Sequence, residues 1–408
     1  VDLDRVLAQI ERGTEKIISR EELKDRLARA HAEKRQLRVK LGIDPTASDI
    51  HLGFAVVLRM LRRFQDLGHK AVLIIGDYTA QVGDPSGKSA TRPILSDEEV
   101  KKNSATYVTQ CKQILDPSDE KLEITTNGKW FSKMTFIDVI RLAAKSSVQR
   151  LLERNDFTAR MKAQEPLYLH EMIYPLMQGW DSVMVRSDIE LGGTDQEFNL
   201  LVGRDLQEKE GQPRQICVMT PIIEGTDGKK KMSKSLGNYI GIAEPPFEQM
   251  KKTMQIPDEI LERWFRFFTD VPEEEYKALL APGVNPRDAK LRLGRGIVEL
   301  YHGAEAALKA EERWRSEIGG GGALPADMPV FKVAKAHLEA NGRVAVRKLL
   351  TGVTGFCSSN GDASRLIEQG GVEIDGTRVD DVRAEVDVKP GMVLKAGKKK
   401  YARLELGQ

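Results

Sequence analysis

The chain has 408 residues, enough for two or three domains that each bury a core of their own. Its 63 Lys and Arg against 61 Asp and Glu leave a formal net charge of +2, which excludes bulk basicity as a means of holding nucleic acid; such binding would rest on local patches. Cys111, Cys217 and Cys357 are widely separated and form no C-x-x-C pair, arguing against structural zinc and for buried free thiols in a reducing compartment. No apolar run approaches the roughly 18 residues of a membrane span, and the expected location is the cytoplasm.

An opening helical region ends near Ser19, which with Glu22 is spaced as a capping box ahead of the Leu23/Leu27 pair of an amphipathic helix. Residues 37–44 read as a strand, 52–68 as a helix stopped by Gly68, and 70–77 ("KAVLIIGD") as a continuously apolar strand. This is a βαβ unit, and its right-handed crossover puts "DPTASDIHLGF" (44–54) at the carboxyl edge, where doubly wound sheets bind ligands. From Ser96, a second capping box with Glu99, to about Phe157 the pattern is mainly helical. Strand-like 122–127 interrupts it, and the stretch reads as an insertion between two halves of the sheet. Across 181–206 strands run into Gly192-Gly193 and then a helix, an edge suited to close backbone approach to a nucleotide sugar or phosphate. After Tyr239 the pattern is helical to about Ser316, and "GGGGALP" (319–325) breaks it as a linker. The tail from about Lys332 carries two short helices, 344–353 and 361–371, and strands within 372–379 and 392–406.

"GKKKMSKSLGN" (228–238) crowds Lys229, Lys230, Lys231 and Lys234 onto one loop, which by itself reads as a solvated surface loop. A companion anion site would make it a cationic flap over a polyanion. "GDPSGKS" (83–89) is not that site in the Walker sense, because the required earlier glycine is Val82 and Asp84 brings a carboxylate into the loop; Asp84 instead suits a substrate ammonium. His51, just before Leu52 and Gly53 at a predicted helix start, lies where unpaired N–H groups favour an anion, and Thr46 shares its loop.

"HLGF" (51–54) resembles the HIGH motif and "KMSKS" (231–235) the second signature of class I aminoacyl-tRNA synthetases, in order and about 180 residues apart. "GIDPTASDIHLG", "GDPSGK", "YPLMQGWD" and "GGTDQ" narrow the resemblance to the bacterial or organellar tyrosyl-tRNA synthetase family, over essentially the whole chain. It implies an α/β fold: a Rossmann-like parallel-sheet catalytic domain (1–240) with a helical insertion (about 96–160), an α-helical anticodon-binding domain (241–318), a linker (319–331) and a small α+β RNA-binding domain (332–408). It implies activation of L-tyrosine with ATP, Mg2+ accompanying the ATP, transfer to tRNA(Tyr), and a homodimer paired through the insertion with no membrane partner.

Residue by residue, the family implies ammonium contacts from Asp84, Tyr174 and Gln178, with Asp181 at the phenol hydroxyl. Asp44 and Gln196 would border the amino-acid pocket, Gly53, Gly193 and Asp195 the nucleotide. Thr46, His51, Lys88, Arg92, Lys231 and Lys234 would meet the phosphates. Lys395, Lys398, Lys399, Lys400 and Arg403 are candidate tRNA phosphate contacts. Two departures stand out. Phe54 replaces the second histidine of HIGH, and Lys40 stands where one branch of the family has a tyrosine that shares the substrate hydroxyl. A tryptophan-specific relative and an RNA-binding or splicing factor on a synthetase scaffold are the competing readings.

Overall fold

The computed structural model describes residues 2–45, 49–85, 96–318, 328–339, 342–397 and 400–407. The chain divides into two compact units, 1–311 and 312–408.

In the first unit six strands form one sheet in the order β1-β6-β5-β2-β3-β4: β1 (Lys16–Ile18), β2 (Arg38–Ile43), β3 (Lys70–Ile75), β4 (Leu122–Thr126), β5 (Ile189–Gly193) and β6 (Ile216–Thr220). Every neighbouring pair is parallel except β1 with β6. Ala71–Ile75 of β3 is buried throughout, as the continuous apolar run requires of a strand covered on both faces. The chain lays β2, β3 and β4 toward one edge, then returns to place β5 and β6 on the other side of β2. The carboxyl ends of β2 and β5 therefore flank the topological switch point.

Three expectations change here. Residues 122–126 are not an interruption of an inserted helical region but β4, the edge strand of the main sheet, so the helix Asp97–Ile114 is the crossover from β3 to β4. An edge strand is half polar, and Glu123 turns outward to Arg38 at 2.9 and 3.0 Å, which weakened its strand pattern. Residues 181–184 end the helix Leu169–Met184 and are not strand; β5 starts only at Ile189. The short β1, in what read as an opening helical region, and the fully buried β6 add the far edge.

Capping behaves as the side chains allow. Ser96 and Glu99 make the full reciprocal box, at 3.3 Å and 2.9 Å. Ser19 accepts the Glu22 N–H, but the Glu22 carboxylate does not return the bond; it holds the Arg204 guanidinium at 3.0 and 3.2 Å. The core under the helix Leu52–Asp66 is continuous with Trp264, Phe265 and Phe268 of the helix Leu261–Phe268, so the helical stretch after Tyr239 shares the core of the sheet.

The second unit has a five-stranded sheet in the order β10-β9-β12-β13-β7: β7 (Val330–Val333), β9 (Val372–Ile374), β10 (Thr377–Arg378), β12 (Met392–Ala396) and β13 (Lys400–Leu406). A small pair joins β8 (Val344–Ala345) to β11 (Glu385–Val386). Val344, Leu349, Leu350, Ile367, Leu394 and Leu404 lie in its core. β7 begins inside the stretch read as linker. Lys395 pairs with Glu373 at 2.9 Å, the Lys400 ammonium donates to the Phe356 carbonyl at 2.6 Å and Arg403 is exposed; Lys398 and Lys399 lie outside the described residues. Cys111 and Cys217 are buried free thiols, while Cys357 is only half-buried.

Candidate active site

A cavity of about 620 Å³ opens at the carboxyl edge of the sheet, over the ends of β2 and β5. One end is built on the helix Leu169–Met184, where Tyr174, Gln178 and Asp181 follow i, i+4, i+7 spacing and so share the face turned to the cavity. The Tyr174 hydroxyl donates to Asp44 Oδ2 at 2.7 Å, and Thr79 Oγ1 donates to Asp44 Oδ1 at 2.7 Å. Asn127 Nδ2 donates both to Thr79 Oγ1 (2.9 Å) and to Asp181 Oδ2 (3.1 Å), and the Trp130 indole N–H donates to Asp181 Oδ1 at 2.9 Å. A continuous chain of hydrogen bonds thus joins Trp130 to Tyr174. Burial pushes the Asp181 carboxyl up to about 7, against the Lys40 charge and the two donors, which pull it down.

A second chain starts from Gln178 of the same helix. Asn199 Nδ2 donates to Gln178 Oε1 at 2.9 Å and to Gln196 Oε1 at 3.0 Å, and Gln196 Nε2 donates to Asp84 Oδ2 at 2.9 Å. Gly193 ends β5 beside Asp195, and a Cβ there would stand 2.6 Å from the Asp195 carboxylate, so a side chain at this position would push that carboxylate aside.

At the other end His51 is the N-cap of the helix Leu52–Asp66. Its Nδ1 accepts the Phe54 N–H at 3.2 Å, which leaves the proton of the neutral ring on Nε2. Burial, with Lys234 and Lys231 nearby, lowers its pKa to about 4, so at neutral pH His51 is an uncharged donor. Residues 239–242 run beside this helix start: Leu52 N–H donates to the Ile240 carbonyl at 2.8 Å and Ile242 N–H to the Ile50 carbonyl at 2.9 Å. Met232 Sδ accepts the Gly53 N–H at 3.2 Å, and a Cβ at Gly53 would come 3.2 Å from His51 Nδ1 and 3.3 Å from Met232 Cβ. Lys234 Nζ donates to Asp49 Oδ2 at 2.9 Å and lies 5.8 Å from the centre of the Tyr239 ring. Lys231 is exposed at the cavity wall, and half-buried Phe54 lends that wall an apolar surface. Thr46, Lys88 and Arg92 lie outside the described residues.

Asp44, His51, Gly53, Asp84, Tyr174, Gln178, Asp181, Gly193, Asp195, Gln196, Lys231 and Lys234 therefore meet around one cavity. Lys40 does not join them. It is wholly buried, and its ammonium is taken up by Glu190, Ser182 and the Gln178 carbonyl, so it does not stand in for the tyrosine that shares the substrate hydroxyl in one branch of the family.

Residues 32–318 match the family of class I tRNA synthetases described as W and Y. The chain is 50% identical to the tyrosine–tRNA ligase of Symbiobacterium thermophilum over 100% of this chain and 98% of that protein. It is 49% identical to the tyrosine–tRNA ligase of Thermotoga maritima over 98% and 97% of the two chains. The chain belongs to the tyrosyl-tRNA synthetases. Among solved structures it resembles a C-terminally truncated mitochondrial tyrosyl-tRNA synthetase from Coccidioides posadasii (TM-score 0.62, 22% identity, 76% of this chain and 91% of that one). It also resembles the enzyme of Archaeoglobus fulgidus complexed with L-tyrosine (TM-score 0.61, 21% identity, 76% and 100%). At that identity these structures speak for the α/β Rossmann-like fold alone.

Thr79, Asn127, Trp130 and Asn199 escaped the sequence reading, yet they hold Asp44, Asp181 and Gln178 in place. The signal for Asn127 and Trp130 was available. Had 122–126 been read as a parallel strand, the residues following its carboxyl end would have been site candidates.

Proposed function

We propose that this cavity carries out the family's reaction with the residues in the roles that follow. As a tyrosine–tRNA ligase, the chain joins tyrosine to ATP, releasing pyrophosphate, and passes the tyrosyl group to the terminal ribose of its tRNA. A tyrosine carboxylate oxygen attacks the α-phosphorus of ATP, and the bond from that phosphorus to the bridging oxygen of the β-phosphate breaks. No side chain becomes covalently attached and none needs to shuttle a proton in this step. Asp181 receives the phenol hydroxyl; Tyr174, whose own proton goes to Asp44, offers its oxygen lone pairs to the ammonium together with Gln178 Oε1 and Asp84. Gly193 and Asp195 face the ribose. His51 Nε2–H, Lys231 and Lys234, with Thr46, Lys88 and Arg92, meet the phosphates, where negative charge grows on the departing pyrophosphate.

The observation that carries this reading is the Asp181 carboxyl: 4% exposed, oriented by one donor on each oxygen and set in the cavity wall, it keeps acceptor capacity for a substrate hydroxyl. Among the described residues no group of three or more His, Cys, Asp or Glu side chains is arranged to hold a metal. Mg2+ in this reading arrives with the triphosphate, and no step is assigned to it. Neither the tryptophan-specific nor the scaffold-protein alternative gains support.

The quaternary and tRNA-binding roles belong to the same proposal. Phe136, Ile137, Ile140 and Val148 are exposed, Phe136 at 80%, while Leu142 and Leu151 turn inward. That outward apolar set favours pairing with a second copy. The helices of 241–318 and the tail of 332–408 would hold tRNA, with the candidate lysines and Arg403 on phosphates, and the cytoplasm is the expected site of work. Tyrosine-dependent ATP–pyrophosphate exchange, with phenylalanine and tryptophan as controls, tests the assignment; exchange driven by tryptophan, or none with tyrosine, would refute it. Sedimentation at micromolar concentration tests the dimer.

A further inference from the structure

Beneath the cavity, outside its wall, lies a buried charge pair with no role in the chemistry above. Lys40 on β2 and Glu190 on β5 are 0% and 1% exposed and meet at 2.8 Å. All three ammonium protons of Lys40 are used: one on Glu190 Oε1, one on Ser182 Oγ at 2.7 Å and one on the Gln178 carbonyl at 2.9 Å. Glu190 Oε2 accepts from Ser182 Oγ at 2.8 Å and from Gln215 Nε2, while Oε1 also takes Gln178 Nε2 at 3.4 Å. Swapping a buried pair for apolar side chains is often neutral or stabilising, so stability alone is a weak reason for this one.

We infer that the Lys40–Glu190 pair is a positioning device for Gln178, fixing its amide so that Oε1, and not Nε2, is presented to the ammonium of tyrosine. An amide can sit either way round, and only its oxygen can receive an ammonium. A carboxylate accepts and cannot donate, so Glu190 selects the nitrogen end of the Gln178 amide, and Asn199 selects the oxygen end from the other side at 2.9 Å. Lys40 supplies the counter-charge for that carboxylate and at the same time grips the Gln178 backbone, so the residue is held at both ends. Lys40 and Glu190 are positioning residues and touch no substrate. The inference rests on the reading of Gln178 as an ammonium contact.

The test separates the ammonium from the rest of tyrosine. Inhibition constants are measured for tyramine, which keeps the ammonium and lacks the carboxylate, and for 3-(4-hydroxyphenyl)propionate, which lacks the ammonium. In the double variant Lys40→Met/Glu190→Met both charges leave together. The tyramine constant is expected to rise roughly 10- to 100-fold, as for losing a hydrogen bond to a charged group, while that of the des-amino compound stays within about twofold. A pair that only stabilises the fold would leave both constants alone, and a distorted pocket would raise both; either result overturns the inference. If the double variant does not fold, Lys40→Met/Glu190→Gln keeps the shape and the bonds from Ser182 and Gln215; tyramine alone should again weaken, by about threefold or more, because with its oxygen held by those two donors the new amide turns its nitrogen to Gln178 and selects the wrong end. Gln178→Ala is the control that tells the two failures apart. If it leaves tyramine binding unchanged, the ammonium reading is wrong and the inference falls with it; if it weakens tyramine while the Lys40/Glu190 variants do not, only the inference is wrong.

Discussion

The two ends of the cavity are built on different principles. At the amino-acid end, Asp44, Asp181, Gln178 and Asp84 are each tied to a neighbour by a hydrogen bond of 3.1 Å or less, and Asn127, Thr79 and Asn199 link them into chains. At the phosphate end, Lys231 is exposed and Lys234 holds Asp49 across an ion pair whose carboxylate is 46% exposed. The first is an arrangement set before substrate arrives. The second can give up weak contacts for stronger ones as charge develops, which is the condition for an interaction to raise the rate and not merely the affinity. Selection of tyrosine and acceleration of its activation are thereby assigned to different groups.

The largest effects are expected at the lysines. Lys231→Ala or Lys234→Ala is expected to slow tyrosyl-adenylate formation by roughly 10²-fold, as for losing one preorganised donor, measured by stopped-flow fluorescence. Next comes Asp181→Ala, which should cut the preference for tyrosine over phenylalanine by about 10- to 100-fold in pyrophosphate exchange, because it leaves the phenol hydroxyl buried without its partner. Tyrosyl-tRNA synthetases are themselves a standard illustration of this kind of selection.

The pH dependence of stability distinguishes the ends by sign. Asp181, raised to about 7 in the folded protein, favours folding fully below its ordinary range near 3.8, and that contribution is lost as pH rises through 7. His51, lowered to about 4, acts oppositely: its contribution is present above 6.5 and is lost as pH falls through 4. Denaturant titrations of Asp181→Asn and His51→Gln from pH 4 to 8 should each remove one of these slopes. The smallest effect is expected at the ion pair. Asp49→Asn frees Lys234 and should tighten ATP binding by up to about fivefold, the range of an exposed pair; weaker ATP binding would make Asp49 a support for the lysine and not its competitor.

What could be read in advance follows the same division. His51 with its helix start and the lysine loop are each a single contiguous stretch, and a helix start and a charge cluster are local signals, so their chemistry is legible in the sequence. The phenol end was legible only through resemblance, since Asp181 is brought to Asn127 and Trp130 by the pairing of β3 with β4, which no local pattern encodes. The partners of Lys40 are hidden in the sequence for a related reason. One side chain in a strand does not reveal that its partner is Glu190, 150 residues away on the neighbouring strand. The β4 strand was seen but placed in an insertion, because its half-polar pattern gives its existence and not its sheet.

The division of labour is tested most directly by crossing Lys234→Ala with Tyr174→Phe in single-turnover formation of tyrosyl-adenylate, with the tyrosine dissociation constant and the limiting rate taken from the same titration. The account predicts that Lys234→Ala lowers the limiting rate by roughly 10²-fold and leaves the dissociation constant within about twofold, while Tyr174→Phe does the reverse, weakening tyrosine with little change in rate. A Lys234→Ala protein with a normal rate and weakened tyrosine binding would contradict it.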